Sequence, residues 1–359
     1  MKILFLSHKF YPDIGGIEVN SEILADHFSM DGAEIHVVTW SQVNNSKTKD
    51  FPYKIIRNPG PLQLISEHRW ADVVFENNPS LKLSWPLFFL KKPHVVAVHT
   101  WINRGNGKIS FRDKLKLKWL KKANAVIAVS ELLKGGTFSE ATVIENSYND
   151  QLFRKMEDVK KTRDFVFLGR LVSDKGADMA IQLIKMLKDW YRKQNGSEEI
   201  SLTIIGEGPE RKHLEDLVRQ LGMKAYVKFT GALSGNALVK CLNEHKYMLV
   251  PSRWKEPFGI VALEGMASGC LPIVSDGGGL PEAVEDAGLV FERNNIHSLF
   301  EKVVRLMEDP ELEREIRSHF QEHLKKHTSK VVSERYLEII KKAIQNDGRD
   351  QTYSFSSHR

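Results

Sequence analysis

"DFVFLGRLVSDKGADMAIQLIKMLKDWY", Asp164 to Tyr191, decides the fold. "DFVFLGRL" reads as a buried-type strand leading into a loop, and "GADMAIQLIKMLKDWY" as a helix. Toward the C-terminus the alternation continues with a strand at "ISLTIIGEG", a helix at "PERKHLEDLVRQLG" ending in Gly222, and a strand at "AYVKFTG". "KYMLVPS", "CLPIVSD" and "GLVFE" follow, each before a helix or turn. Toward the N-terminus the same order has already run once. Lys2 to Ser7 is a short strand, Ile17 to Asp31 carries Ile17, Leu24 and Phe28 near helical spacing, and "EIHVVTW", "DVVFE", "HVVAVHT", "NAVIAVS" and "ATVIENS" supply further strands. Strands separated by helices imply a parallel sheet with helices on both faces, which binds ligands beyond the carboxyl ends of its strands. The stretch at Asp164 is therefore a restart. Two doubly wound α/β lobes with a crevice between them are expected, divided near the aperiodic polar stretch "RKMEDVKKTRD", Arg154 to Asp164.

A chain of 359 residues, 42% of them hydrophobic, is long enough for two such cores, since single cores rarely grow past about 250 to 300 residues. Lys and Arg number 52 against 46 Asp and Glu, a formal charge of +6. That excess suits an anionic ligand, an anionic membrane surface or nucleic acid and does not choose among them. No RNA-binding aromatic pattern or helix-turn-helix signature supports the last. Cys241 and Cys270 give neither a disulfide framework nor a zinc pattern, so a reducing compartment and no structural metal are expected. Only four consecutive apolar residues precede Ser7 in "MKILFLSHKFYP", too few for a signal peptide. The longest apolar run, "LSWPLFFL", is broken by Pro86 and falls far short of the roughly 20 residues a spanning helix needs. A soluble or peripheral cytoplasmic protein is the expectation.

Candidate site residues cluster in the second lobe. In "EPFGIVALEG" Glu256 precedes Pro257, and proline favours the first helical turn while holding the residue before it extended, so Glu256 belongs to the loop. The helix then runs through "FGIVALEGMAS" to Gly269, a left-handed cap. Eight steps at 100° place Glu264 about 80° from Glu256 even if both were helical, so the two acids do not share one face. Spacing alone leaves two readings open: an N-terminal acid plus a solvated one, or two carboxylates addressing different parts of a ligand. Gly277, Gly278 and Gly279 precede an apparent helix start and leave backbone amides available for an anion, or form a plain turn. Arg170 and Lys175 in "GRLVSDKG" lie in the loop after the lobe's first strand and match phosphate oxygens as a fork and a point charge, or form a solvated pair. Gly206 and Gly208 in "IIGEGPE" also follow a strand, as a wall for a nucleotide or a tight turn. In the first lobe Gly15 and Gly16 sit where the first loop enters its helix, and His99 ends the strand "VVAVH" at its carboxyl end. No D-x-D occurs, so a metal site built on such a pair is not supported.

Together "PSRWKEPFGIVALEGMASGCLPIVSDGGGLPEAV", "FLGRLVSDKG", "IIGEGPE" and "ILFLSHKFYPDIGGIEVNSEILADHF" resemble the retaining glycosyltransferases of family 4, from Met1 to about Lys342. The resemblance implies the α/β GT-B fold, two Rossmann-like doubly wound parallel-sheet domains facing each other across a deep cleft. It implies an acceptor-binding domain over 1–153, a nucleotide-sugar donor domain over 154–328 and a helix over 329–345 crossing back to the first, while the polar stretch over 346–359 reads as a mobile tail. It further implies transfer of a hexose from a nucleotide diphosphate sugar, UDP-glucose or another UDP-hexose ahead of GDP-mannose, to a glycan or lipid-linked hydroxyl. Anomeric configuration is retained, and no metal or cofactor is required. By the resemblance Arg170 and Lys175 hold the diphosphate, Glu256 bonds donor-sugar hydroxyls and positions without attacking, and Glu264 holds the ribose. The backbone at Phe258, Gly259 and Ile260 approaches sugar and diphosphate, Gly206 and the Gly15–Gly16 loop lie nearby, and His99 stands beside the donor sugar. Two segments depart from the pattern: Asn149 replaces an acid in "NSYNDQLF", and Thr100 with Trp101 follows His99 where an aspartate is frequent.

One segment falls outside this reading. In "FRDKLKLKWLKKA" a helical wheel gathers Lys114, Lys118, Lys121 and Lys122 within about 100°. The stripe reads either as a peripheral contact with anionic lipid, placing the protein at the inner face of a membrane, or as a solvated face over a packed helix. Rival readings of the whole chain are a nucleotide-sugar 2-epimerase of the same fold, which needs no acceptor, and a non-catalytic sugar-nucleotide-binding protein.

Overall fold

The computed structural model describes all residues except 14, 44–48, 103–109, 195–199 and 357–359, and for 348–356 the backbone alone. The chain forms two compact units, Met1–Ser147 with Ser329–Arg359, and Tyr148–Thr328. The division at Ser147/Tyr148 comes just before a turn in which the Asn149 side chain accepts from the Leu152 amide (3.1 Å) and Phe153 is buried.

The first unit is built on seven strands: β1 (Lys2–Leu6), β2 (Glu34–Thr39), β3 (Lys54–Arg57), β4 (Val73–Asn77), β5 (His94–Val98), β6 (Ala125–Ala128) and β7 (Thr142–Val143). They lie in the order β3-β2-β1-β4-β5-β6-β7, all parallel. Side chains alternate across a strand, so Ile3 and Phe5 join the cluster of Phe28, Phe75 and Tyr336, while Leu4 and Leu6 join that of Val38, Leu64 and Leu83. With both faces covered, β1, β5 and β6 read as nearly continuous apolar runs. The last helix, Ser329–Ser356, covers the first of these faces. Val332, Tyr336, Leu337, Ile340 and Ala343 recur at helical spacing, and the Tyr336 ring stands edge-on to Phe75 with centroids 5.9 Å apart. This helix continues past residue 345. Of the expected tail 346–359, residues 357–359 lie outside the described residues.

The second unit carries six parallel strands: β8 (Arg163–Leu168), β9 (Leu202–Ile205), β10 (Val227–Gly231), β11 (His245–Val250), β12 (Leu271–Ser275) and β13 (Leu289–Phe291), in the order β10-β9-β8-β11-β12-β13. The helix after β8, Ala177–Lys193, buries Met179, Ala180, Leu183, Ile184 and Leu187 along one stripe. These meet Phe165, Phe167, Leu202 and Ile204 on the sheet. Each sheet has one place where chain order reverses, between β1 and β4 in the first and between β8 and β11 in the second. The ends of those strands are where doubly wound sheets place ligands.

Several elements escape the sequence reading, two of them consecutive in the first unit. Strand β3 and the helix Pro61–Trp70 show no clean period: β3 is a four-residue edge strand between Lys54 and Arg57, and the helix buries only Leu64, Glu67 and His68.

Candidate active site

At the reversal point of the second unit two loops meet. One leaves β8 at Leu168 and carries Arg170 and Lys175; the other leaves β11 at Val250 and carries Glu256. Backbone and side-chain bonds sew them together. The Asp174 carbonyl accepts from the amides of Arg253 (2.7 Å) and Trp254 (3.1 Å) and from Ser252 Oγ (3.2 Å). The Arg253 guanidinium forks onto both oxygens of Asp178, each at 2.6 Å, and reaches the Ser173 carbonyl at 3.0 Å. Gly176, at φ +73, lets the helix start here; a Cβ would fall 2.0 Å from the Pro251 carbonyl oxygen. Held this way, Lys175 Nζ stands 2.5 Å from Glu256 Oε1, and the same oxygen accepts from Ser252 Oγ at 2.8 Å.

Glu256 lies outside the following helix, which begins at Ile260, two residues later than the apolar run suggests. Phe258 is buried against the His327 ring (centroids 5.6 Å apart), and Gly259 takes φ +130 as the cap. Gly259, Ile260 and Val261 supply the first-turn N–H groups that an α-helix leaves without intrahelical acceptors. The backbone of Glu256 is itself fixed: it bridges to Gly278 as a parallel strand would, and its carbonyl accepts from the Gly279 amide at 2.7 Å. Gly278 sits at φ +77, with room for no Cβ: one would lie 2.1 Å from the Glu256 carbonyl oxygen. The glycine run therefore serves as a support for Glu256, and the Gly279 amide is occupied.

Glu264 follows in mid-helix, partly exposed, and among the described residues its carboxylate has no hydrogen-bonding partner. Burial without a compensating charge pushes its carboxyl up to about 8. Arg170 is exposed, and its guanidinium likewise has no partner among the described residues. Gly206, at φ +143, lets the β9 loop lie directly on the Arg170 loop, because a Cβ there would be 1.9 Å from the Gly169 carbonyl oxygen; the Leu171 amide then donates to the Glu207 carbonyl at 2.9 Å. The second unit thus brings Lys175 and Glu256 into contact and puts Arg170, Gly206, Phe258, Gly259, Ile260 and Glu264 on the loops and helix around them.

His99, Gly15 and Gly16 belong to the first unit. Gly15 caps the helix Gly16–Met30 in an extended conformation, φ 175, that any residue adopts. His99 is buried just beyond β5, and its Nε2 lies 2.6 Å from Asn77 Oδ1 at the end of β4. The Asn77 amide nitrogen donates to Ser21 Oγ (2.7 Å) and Asn20 Oδ1 (3.4 Å), which leaves its oxygen for the histidine. Nε2 is accordingly the protonated ring nitrogen. Burial, opposed by a hydrogen bond to the Asn146 side chain, lowers the His99 pKa to about 4, so the ring is neutral at physiological pH. Asn20, Ser21, Asn77, Ser252, Arg253 and Asp178 were not singled out in the sequence. The available signal was weak: an asparagine closing an apolar strand in "VVFENN", and an arginine three residues after β11. The four lysines of the basic stripe, Lys114, Lys118, Lys121 and Lys122, are all exposed. Among the described residues no group of three or more His, Cys, Asp or Glu side chains is placed to hold a metal ion.

The fold and the site define a class: two parallel-sheet α/β domains, the second presenting a tethered lysine–glutamate pair, an open arginine and an open carboxylate at its reversal point. Residues 149–323 match the family model of glycosyl transferases group 1. An uncharacterised glycosyltransferase of Methanocaldococcus jannaschii is 26% identical over an alignment covering 91% of this chain and 94% of that protein. Among solved structures, sucrose-phosphate synthase from Thermosynechococcus elongatus superposes with a TM-score of 0.80 at 19% identity, over 96% of this chain and 99% of that one. Anabaena HepE, solved with UDP and glucose, gives 0.76 at 19% over 95% and 100%. The fold is that of the GT-B glycosyltransferases.

Proposed function

We propose that the protein is a retaining hexosyltransferase that takes its sugar from a nucleotide diphosphate donor, a UDP-hexose such as UDP-glucose first, and delivers it to a hydroxyl of a glycan or lipid-linked saccharide. The observation that carries this reading is the placement of Lys175 on Glu256, with the Arg170 and Glu264 side chains left without hydrogen-bonding partners among the described residues, inside the segment that matches the group 1 glycosyl transferases. Breaking an anomeric bond adds negative charge to the departing phosphate, so cations fixed beforehand help chiefly in the transition state. Arg170 and Lys175 are assigned that work. Glu256 keeps Lys175 in place and offers its other oxygen to a sugar hydroxyl, while Glu264 is an acceptor in want of donors, as ribose hydroxyls are. His99, neutral with Nε2 tied to Asn77, supplies a dipole and not a charge on the first unit. Crystallisation of HepE with UDP and glucose supports a uridine nucleotide as the first donor to try.

The test is a panel of UDP- and GDP-sugars incubated with the full chain in the presence of chelator. Nucleoside diphosphate release is measured, and the product's anomeric configuration is read by NMR. Release from one donor, unaffected by chelator and giving the retained anomer, is expected. An inverted product, or no release and no binding with any donor, sinks the reading; conversion of the donor's own sugar without an acceptor would reassign the protein as an epimerase.

A further inference from the structure

The first unit leaves large apolar side chains in solvent where its core has no use for them. Phe88 is 55% exposed, Phe89 80%, Phe111 74% and Leu115 40%. They come from two segments, the 3-10 turn Trp85–Phe88 with its next residue and the helix Phe111–Leu120, which meet: the Phe88 ring is 5.0 Å from that of Trp119, and Lys122 Nζ lies 5.1 Å from the Phe88 ring centre. The helix is held firmly. Trp119 is buried and donates from Nε1 to Glu76 Oε1 at 2.7 Å, and Ser110 with Asp113 forms a reciprocal capping box at the other end. With Trp119 and Leu120 turned inward, the outward arc carries Lys121, Lys114, Lys118, Phe111, Lys122 and Leu115 within about 120°. Across Leu81–Lys92 and Ser110–Asn124 nine basic residues face a single acid, Asp113, which the capping box consumes.

We propose that this face seats the protein on an anionic lipid surface, with Phe89, Phe111 and Leu115 entering the headgroup boundary and the surrounding lysines meeting lipid phosphates. Exposed aromatics interleaved with lysines suit a lipid surface better than a protein one, because the cores of protein interfaces are depleted in lysine. Among the described residues no helix is long and apolar enough to cross a membrane, so this attachment is peripheral. The inference stands on the first unit alone and does not depend on the donor or the reaction.

The experiment is co-sedimentation of the full chain, without any sugar nucleotide, on vesicles of phosphatidylcholine alone and of phosphatidylcholine mixed with phosphatidylglycerol. Binding to the mixed vesicles only, weakened by salt, is expected. Phe89→Ser and the double variant Lys118→Glu/Lys122→Glu should each lower partitioning by more than roughly tenfold. Both should leave the thermal transition in place, since these side chains project into solvent. Absence of enrichment on anionic vesicles, or enrichment that both variants keep, overturns the proposal. So does a concentration-dependent doubling of mass in solution that Phe89→Ser removes, which would give the face to a second copy of the chain.

Discussion

Glu256 has one oxygen taken before any ligand arrives, shared between Lys175 and Ser252. Glu256→Gln keeps the shape and removes the charge that draws Lys175 in, so kcat should fall by about 10² to 10³, as it does when a group aimed at developing charge is lost. Arg170→Ala should cost a comparable factor in kcat with an unchanged thermal transition, because the side chain is exposed and its guanidinium makes no hydrogen bond or ion pair among the described residues; wild-type turnover in that variant would remove Arg170 from the mechanism. Glu264 makes a different prediction. Its carboxyl titrates near 4.5 in the unfolded chain and near 8 in the folded one. The folded state therefore binds the proton more tightly, and stability is eroded as pH rises from about 4.5 to about 8. Glu264→Gln should raise Tm at pH 8 and leave it nearly unchanged at pH 4.5, while weakening donor binding; an equal shift at both pH values would show that the carboxyl is not perturbed.

The glycines that support the site act through the loops they join. Gly278→Ala forces a side chain into φ +77 and against the Glu256 carbonyl, a strain on the order of 1 to 3 kcal/mol or more. Differential scanning should show a lower Tm, and transfer should fall further than stability requires because Glu256 moves with its bridge partner. The loops and helices that carry Arg170, Lys175 and Glu256 were legible because each follows a short apolar strand with a glycine or proline at the turn, where backbone chemistry is local. The start of the helix at Ile260 was not, since Phe258 and Gly259 continue the apolar run and only the burial of Phe258 on His327 takes them out of it. Nor were Arg253 and Asp178, 75 residues apart and joined only after two strands pair. Asn77 was hidden for the same reason: its partners Asn20, Ser21 and His99 reach it from a helix and a neighbouring strand, and no spacing in one segment encodes that meeting.

Stability of the entire protein should pass through a maximum near neutrality. Burial holds His68, His99 and His245 near 4 in the fold, against 6.5 when unfolded. Their depressed values contribute stability that is complete above about 6.5 and is lost as pH falls from there to about 4, while Glu264 erodes it on the alkaline side. Tm measured across pH 4 to 8 should decline toward acid with a net uptake of about two protons on unfolding, three taken up by the histidines less the one Glu264 releases, and a flat acid limb would contradict the buried neutral histidines. The helix Ser329–Ser356 has a consequence for how the chain is made. Tyr336 and Ile340 cover Phe75 and its neighbours, yet 189 residues separate Ser147 from Tyr336. At about 5 to 20 residues per second a ribosome needs roughly ten to forty seconds to deliver that cover. The seven-stranded sheet thus emerges first and is finished last, and during that interval its open apolar face is a binding surface for chaperones.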